Sequence, residues 1–328
     1  MLRAAVLNDF QRVALAMADW ERLAPAVSVD VFDHAFADEA ATISALQPFE
    51  ILCVIRERTP LTRRVLESLP NLKLVVSAGF RNASIDRAAA RELGIPVCGR
   101  RPLDPLEYGY ATATQALALM LELTRQVGAE SQRLKAGVPW QSHVAIDVHG
   151  LTIGLIGLGR LGARFAEMVK PLGMRIIAWS ENLTPERCEE VGVEHVTKEE
   201  LLKTADVVSI HMVLSDRTEK LIGAAELALM KPTSFLINTS RGAIVDEPAL
   251  IEALQHRRIA GAGLDVFAVE PLPLDHTLRK LDNVVITPHM GFVTDRSYRA
   301  MFGDMVVNIE RWLAGEPTYP LELHPSQL

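Results

Sequence analysis

The sequence predicts an α/β protein of two domains, each built on a parallel sheet, and three observations carry that reading. Short apolar segments alternate with stretches of helical spacing along nearly all of the 328 residues, the pattern of β-α-β units. The alternation breaks near Arg100, at RRPLDPLEYG, where two prolines and a glycine suit a hinge, and it restarts from His149. The first strand of the second series runs into a glycine-rich turn, GLGRLG, at Gly157 to Gly162.

The first series reads as strands LRAAVL, VSVDVF, FEILCVI, LKLVVS and IPVC, with helices over 11–23 and 61–69. Past the hinge the spacing predicts one long helix over 107–135. Its Ala116, Leu117, Leu119, Met120, Leu121 and Leu123 occupy more than one face, so it is expected to be buried between partners. The second series reads LTIGLI, MRIIAW, DVVSIHMV, SFLINTS, AGAGLDVF and NVVITP, a doubly wound sheet. From Asp295 a last helix places Met301, Val306, Ile309 and Trp312 on about one face. No internal repeat or low-complexity tract is present.

A lone GxGxxG says little, but this one lies between LTIGLI and RFAEMVKPLG, whose Phe165, Met168 and Val169 have helical spacing. In a strand-turn-helix context each glycine has a reason: Gly157 for the tight turn, Gly159 for close approach of a pyrophosphate, Gly162 for helix-strand packing. The helix start then offers unpaired N–H groups and a positive dipole end to phosphate. At the end of the next strand, where a carboxylate normally reads a ribose hydroxyl, stands Ser180, with Glu181 after it. Serine tolerates a 2′-phosphate, yet no adjacent base offsets Glu181. NAD is therefore expected over NADP, with Arg160 and Arg187 the cations that would reverse the preference.

Composition excludes several classes. With 49% hydrophobic and 23% charged residues the chain is globular, and a net charge of -7 without a basic tract argues against nucleic acid or anionic membrane as partner. The longest apolar-rich helical stretch is interrupted by Gln115, Glu122 and Arg125, and the start MLRAAVLNDF reads as a strand rather than a signal peptide. Cys53, Cys98 and Cys188 are scattered, which suits neither a disulfide framework nor a zinc site. A cytosolic protein without metal is expected.

Three later segments bring chemistry: NTSRGAIVD around Arg241, GLDVFAVEP ending in Glu270, and TPHMG around His289. An arginine grips a carboxylate bidentately, a glutamate orients and charges a histidine, and that histidine moves a proton at neutral pH. Each segment follows a strand, so all three side chains are expected near strand ends, where open α/β sheets bind ligands. Taken singly each residue is more simply a surface charge or a satisfied structural group; the three beside a nucleotide motif read as a proton-handling site.

The order and wording of these segments resemble the D-isomer-specific 2-hydroxyacid dehydrogenases over nearly the whole chain. The resemblance implies a flavodoxin-like substrate domain over 1–105 plus 295–328 and a Rossmann-type NAD(P)-binding domain over 106–294. It implies a catalytic set of Arg241, Glu270 and His289, in which Arg241 holds the substrate carboxylate and C2 oxygen and His289 exchanges the proton. Arg160 and Leu161 fall where the family's backbone meets the pyrophosphate. Asp265 matches the residue that fixes the nicotinamide carboxamide, and Thr239, Ser240 and Gly291 line the cofactor. In VVSAGFRNASID the loop offers backbone N–H groups of Ala78 and Gly79 to the substrate carboxylate, with Arg81 adding a cation. Without the family context this is an ordinary turn capped by Asn82 or Ser84. Arg56 and Arg58 follow a neighbouring strand; facing inward, they would imply a second anionic group on the substrate. The family also implies a homodimer through the long helix and a substrate bound between closing domains. Other readings are a formate dehydrogenase-like enzyme, an NAD(H)-binding corepressor-like interaction protein and a hydrolase of the adenosylhomocysteine type.

Overall fold

The structure, a computed structural model, describes residues 1–101 and 109–321. The chain divides into two compact units, Met1–Leu103 with Thr294–Leu328, and Asp104–Val293. The predicted domain boundary at 105/106 lies outside the described residues.

The first unit carries strands β1 (Leu2–Val6), β2 (Val27–Val31), β3 (Ile51–Val54), β4 (Leu74–Ser77) and β5 (Val97–Cys98). Between them run helices α1 (Ala14–Met17), α2 (Glu39–Leu46), α3 (Arg63–Glu67) and α4 (Arg87–Glu92). All pairings are parallel, in the order β2-β1-β3-β4-β5, so the sheet is flavodoxin-like as expected. Leu7, Leu52, Val54, Leu66 and Val75 fill its core. The helix predicted over 11–23 is instead α1 and a separate 3-10 turn at Trp20–Leu23. The buried Trp20 donates its indole N–H to the Ala14 carbonyl at 2.8 Å, an acceptor that an unbroken helix keeps for the amide four residues on.

The second unit opens on α5 (Tyr110–Arg125) and α6 (Val127–Lys135), which replace the single helix predicted over 107–135; Glu107 lies outside the described residues. Gln126 has φ +51°, a left-handed residue between the two. The cause is a competing partner. The Thr124 carbonyl, which Gly128 would use in a continuous helix, accepts from the Ile146 N–H at 2.9 Å, and the Gly128 N–H turns to the Glu122 carboxylate at 3.0 Å. Strands and helices then alternate: β6 (Thr152–Ile156), α7 (Arg160–Val169), β7 (Arg175–Trp179), α8 (Pro185–Val191), β8 (Glu194–His195), α9 (Lys198–Thr204), β9 (Val207–Ile210), α10 (Ala224–Leu229), β10 (Phe235–Asn238), α11 (Glu247–Gln255), β11 (Gly261–Leu264) and β12 (Val284–Ile286). The parallel order β12-β11-β10-β9-β6-β7-β8 is a doubly wound Rossmann-type sheet with one strand added at an edge. Its order reverses between β6 and β9, and that places the ligand crevice beyond their carboxyl ends. The two-residue β8 was not foreseen in the sequence. Ala113, Ala116, Leu119, Met120 and Leu123 of α5 pack on this unit's own sheet. Gly263 of β11 permits the close approach, since a Cβ there would stand 3.0 Å from Leu119 Cβ.

The final helix, α12 (Asp295–Leu313), is capped by Thr294, whose hydroxyl accepts from the Ser297 N–H at 3.2 Å. It belongs to the first unit. Met301, Val306 and Ile309 are buried and Trp312 is half-buried. A buried ion pair, Arg100 Nε to Asp304 Oδ2 at 3.0 Å, and the Asn308 amide on the Gly99 carbonyl at 2.8 Å tie it to the end of β5.

Candidate functional site

The glycine turn sits where the sheet order reverses. Gly157 has φ +101°, and a Cβ on it would stand 2.6 Å from the His211 carbonyl just past β9. Gly162 is tighter still: a Cβ there would meet the Gly157 carbonyl at 2.1 Å, so only glycine lets α7 start against the turn. Gly159 faces open space instead. That asymmetry is what a bound pyrophosphate needs, two glycines packed on protein and one on an empty approach. Arg160 is exposed and Leu161 half-buried at the first turn of α7. His211, which the sequence reading passed over as a strand residue, lies under the turn with Nε2 3.0 Å from the Ser209 hydroxyl. Burial pushes its pKa down to about 4, so the ring is neutral at ordinary pH.

Ser180 is half-buried at the end of β7 and Glu181 is exposed beside it. Arg187 is engaged by Glu190 at 2.9 Å. A cation not foreseen here is Lys198, whose Nζ lies 5.8 Å over the Trp179 ring and 2.9 Å from Glu226.

After β10 the turn NTSRG is tied by its own asparagine. Asn238 donates to the Arg241 carbonyl at 2.9 Å and accepts from the Ser240 N–H at 3.0 Å. Ser240 hydroxyl reaches the Ile210 carbonyl at 2.9 Å, and Arg241 Nη1 donates to the Ser240 carbonyl at 2.7 Å. The Thr239 hydroxyl is buried without a hydrogen-bond partner, a donor awaiting a ligand group. Together with the open Gly159, it makes these residues fit a dinucleotide.

Asp265, just past β11, is 1% exposed. It accepts from Thr287 Oγ1 at 2.5 Å, from the Met290 N–H at 2.9 Å and from the Gly291 N–H at 2.8 Å. Gln115 of α5 extends the network to Thr287 at 2.9 Å. Burial pushes the Asp265 carboxyl up, against these hydrogen bonds and the nearby His289. The aspartate read from sequence as a nicotinamide ligand also anchors the turn carrying His289, in part through the Gly291 amide. His289 itself has φ +49°, a strained conformation for a side chain of this size, held by the anchored residues around it.

His289 Nδ1 meets Glu270 Oε2 at 2.6 Å, with side chains 26% and 34% exposed. Glu270 Oε1 accepts from the Phe267 N–H at 3.0 Å. Burial alone would raise the Glu270 carboxyl. The hydrogen bond and charge of His289, the Phe267 amide and the Arg241 charge outweigh it, and hold the carboxyl below the usual range. The Glu270 carboxylate thus feels both the His289 ring and the Arg241 guanidinium.

In the first unit, the loop after β4 differs from expectation. The Ala78 N–H continues the ladder to the Val54 carbonyl at 2.8 Å, and the Gly79 N–H reaches Ser77 Oγ at 3.3 Å, so the amides are turned to the unit's own fold. A Cβ on Gly79 would stand 2.8 Å from the Arg81 carbonyl and 3.2 Å from Arg56 Nη1. Arg81 is exposed, whereas Arg58 donates to the Asn8 carbonyl at 2.8 Å. Asn82 Oδ1 accepts from the Ser84 N–H at 3.0 Å.

Among the described residues no helix is long and apolar enough to cross a membrane, and no group of three or more His, Cys, Asp or Glu is placed to hold a metal. The family model for the NAD binding domain of D-isomer specific 2-hydroxyacid dehydrogenases matches residues 117–291. A glyoxylate reductase of Thermococcus litoralis is 39% identical over 264 residues, 77% of this chain and 78% of that protein. A D-3-phosphoglycerate dehydrogenase of Methanocaldococcus jannaschii is 37% identical over 266 residues, 80% of this chain but only 50% of that longer protein. A crystal structure of a phosphoglycerate oxidoreductase from Vibrio cholerae superposes with a TM-score of 0.89 at 32% identity, covering 96% of this chain and all of that one. On these matches the chain belongs to the D-isomer specific 2-hydroxyacid dehydrogenase family and is an NAD(P)-dependent oxidoreductase.

Proposed function

We propose that the protein reduces a 2-oxoacid to the D-2-hydroxyacid, or runs the reverse, with Arg241 as carboxylate clamp and His289 as the proton-exchanging group. The 2.6 Å bond between His289 Nδ1 and Glu270 carries this reading. It commits Nδ1 and leaves Nε2 for the substrate oxygen. Bound nicotinamide supplies the two-electron chemistry at C2. The chain's part is to orient and to move a proton. Arg241 presents a planar fork to the carboxylate and the neighbouring oxygen. His289 gives its Nε2 proton to that oxygen during reduction and takes it back during oxidation, while Glu270 fixes the ring through Nδ1. Arg81 of the first unit is assigned to the substrate side.

NADH is the preferred reductant in this reading, because Glu181 repels a 2′-phosphate and Arg187 is already engaged by Glu190. The protein is read as a homodimer joined through α6 and the segment after it. No residue of α6 is buried, and Val127, Leu134, Trp140 and Val144 leave apolar surface exposed, Trp140 at 71% and Val144 at 95%. Three buried free cysteines suit a reducing compartment, and the cytoplasm is the assigned location.

The test is a panel of 2-oxoacids, from glyoxylate and hydroxypyruvate to bulkier chains, followed at the nicotinamide absorbance with NADH and NADPH. Turnover with at least one, more efficient with NADH by a modest factor, is expected. No turnover with any would overturn the enzyme reading, and a higher efficiency with NADPH would overturn the cofactor preference.

A further inference from the structure

A second histidine-glutamate pair stands behind the first. Glu247, the first residue of α11, accepts from the Ala268 N–H through Oε2 at 3.1 Å, and its Oε1 lies 3.2 Å from His276 Nε2. Both side chains are largely buried, 16% and 20% exposed. His276 Nδ1 accepts from the Leu278 N–H at 3.3 Å, capping a short 3-10 turn. With Nδ1 accepting from that amide, Nε2 is the nitrogen that donates to Glu247. With both nitrogens engaged, His276 is braced rather than poised for proton transfer.

What this pair braces is the backbone that sets Glu270. Ala268, held by Glu247, follows Phe267, whose N–H holds Glu270. On the other side Gly242, the residue after Arg241, packs without a side chain: a Cβ there would stand 2.0 Å from the Phe267 carbonyl carbon and 2.5 Å from the Ala268 nitrogen. The 267–268 backbone is therefore clamped between the Arg241 turn and the Glu247 carboxylate. We propose that Glu247 and His276 are positioning residues, which fix the Phe267 and Ala268 amides and thereby hold the Glu270 carboxylate against His289. The proposal deepens the acid-base reading of that pair and in its kinetic consequences rests on it.

The test combines a spectroscopic and a kinetic readout on the full chain. The proton on His289 Nδ1, bonded to Glu270, is followed by histidine nitrogen-proton NMR in the parent and in Glu247→Ala, Glu247→Gln and His276→Gln. In Glu247→Ala the downfield signal broadens or moves upfield. Glu247→Gln, which keeps an oxygen for the Ala268 N–H, retains more of it. Turnover in Glu247→Ala falls about 10- to 100-fold, as for a sub-ångström misplacement. In a Glu270→Gln background the same change costs about twofold or less, because its route runs through Glu270. An unchanged His289 signal, or an equal loss in both backgrounds, overturns the proposal. An altered signal with unchanged turnover overturns the acid-base reading and leaves the positioning role standing. If Glu247→Ala does not fold, His276→Gln carries the same comparison.

Discussion

The turn around His289 and the loop around Gly79 were both expected to face substrate, yet they are built in opposite ways. At His289, side chains from three stretches of sequence converge: Asp265 on the 290–291 amides and Glu270 on the imidazole from one, Thr287 on Asp265 from the histidine's own turn, and Gln115 on Thr287 from α5. The hydrogen bond to Glu270 engages Nδ1, and the proposed proton exchange uses Nε2. At Gly79 the hydrogen bonds run the other way, since β4 extends its ladder through Ala78 and Ser77 takes the Gly79 amide. A side chain's chemistry is written in its residue type, whereas a backbone amide is available only if the fold has not used it. The proposed Arg241, Glu270 and His289 set could therefore be named from residue types, whereas the partners of the Ala78 and Gly79 amides could not.

This contrast ranks the expected effects. Replacing His289 by Asn removes the proton donor and lowers turnover by roughly 10²- to 10⁴-fold, the span of a positioned acid-base group; a variant within about threefold of the parent would break the contrast. Arg241→Lys keeps the charge but loses the planar fork. Efficiency with the 2-oxoacid should fall steeply while cofactor affinity, measured by fluorescence titration, stays near the parent value. Arg81→Gln, in the first unit's loop, is expected to act least: KM rises by less than about tenfold with little change in turnover, as for a solvent-screened charge. A loss from Arg81→Gln as large as that from Arg241→Lys would show that the exposed arginine, not the buried turn, dominates substrate recognition.

Much of the architecture was legible because periodicity reports burial, and both parallel sheets follow the apolar segments. The failures share a cause. The break at Gln126 arises because Ile146 competes for the Thr124 carbonyl, a contact 22 residues away that no helical pattern can express. The broken first helix likewise depends on the Trp20 indole turning inward. Within the site, Glu247 and His276 look like a surface acid and a loop histidine; their meaning comes from the Ala268 amide between them and Glu270. Asp265 was noticed for the cofactor, but its bonds to the 287–291 turn could not be read from its sequence neighbours.

Glu270 also links the site to acid stability. Its carboxyl is held below the usual range, so the stabilisation it contributes is present above the unfolded carboxylate value and is lost as pH falls through the lowered one.

The central claim is that Glu270, 2.6 Å from His289 Nδ1, orients that ring and sets a negative charge beside it. The pH profile of 2-oxoacid reduction by Glu270→Gln tests it most directly. Its basic limb should move to lower pH, with much of the activity recovered on the acid side, where solvent keeps the ring protonated. A profile lowered uniformly and not shifted would contradict the pairing and leave Glu270 a structural residue.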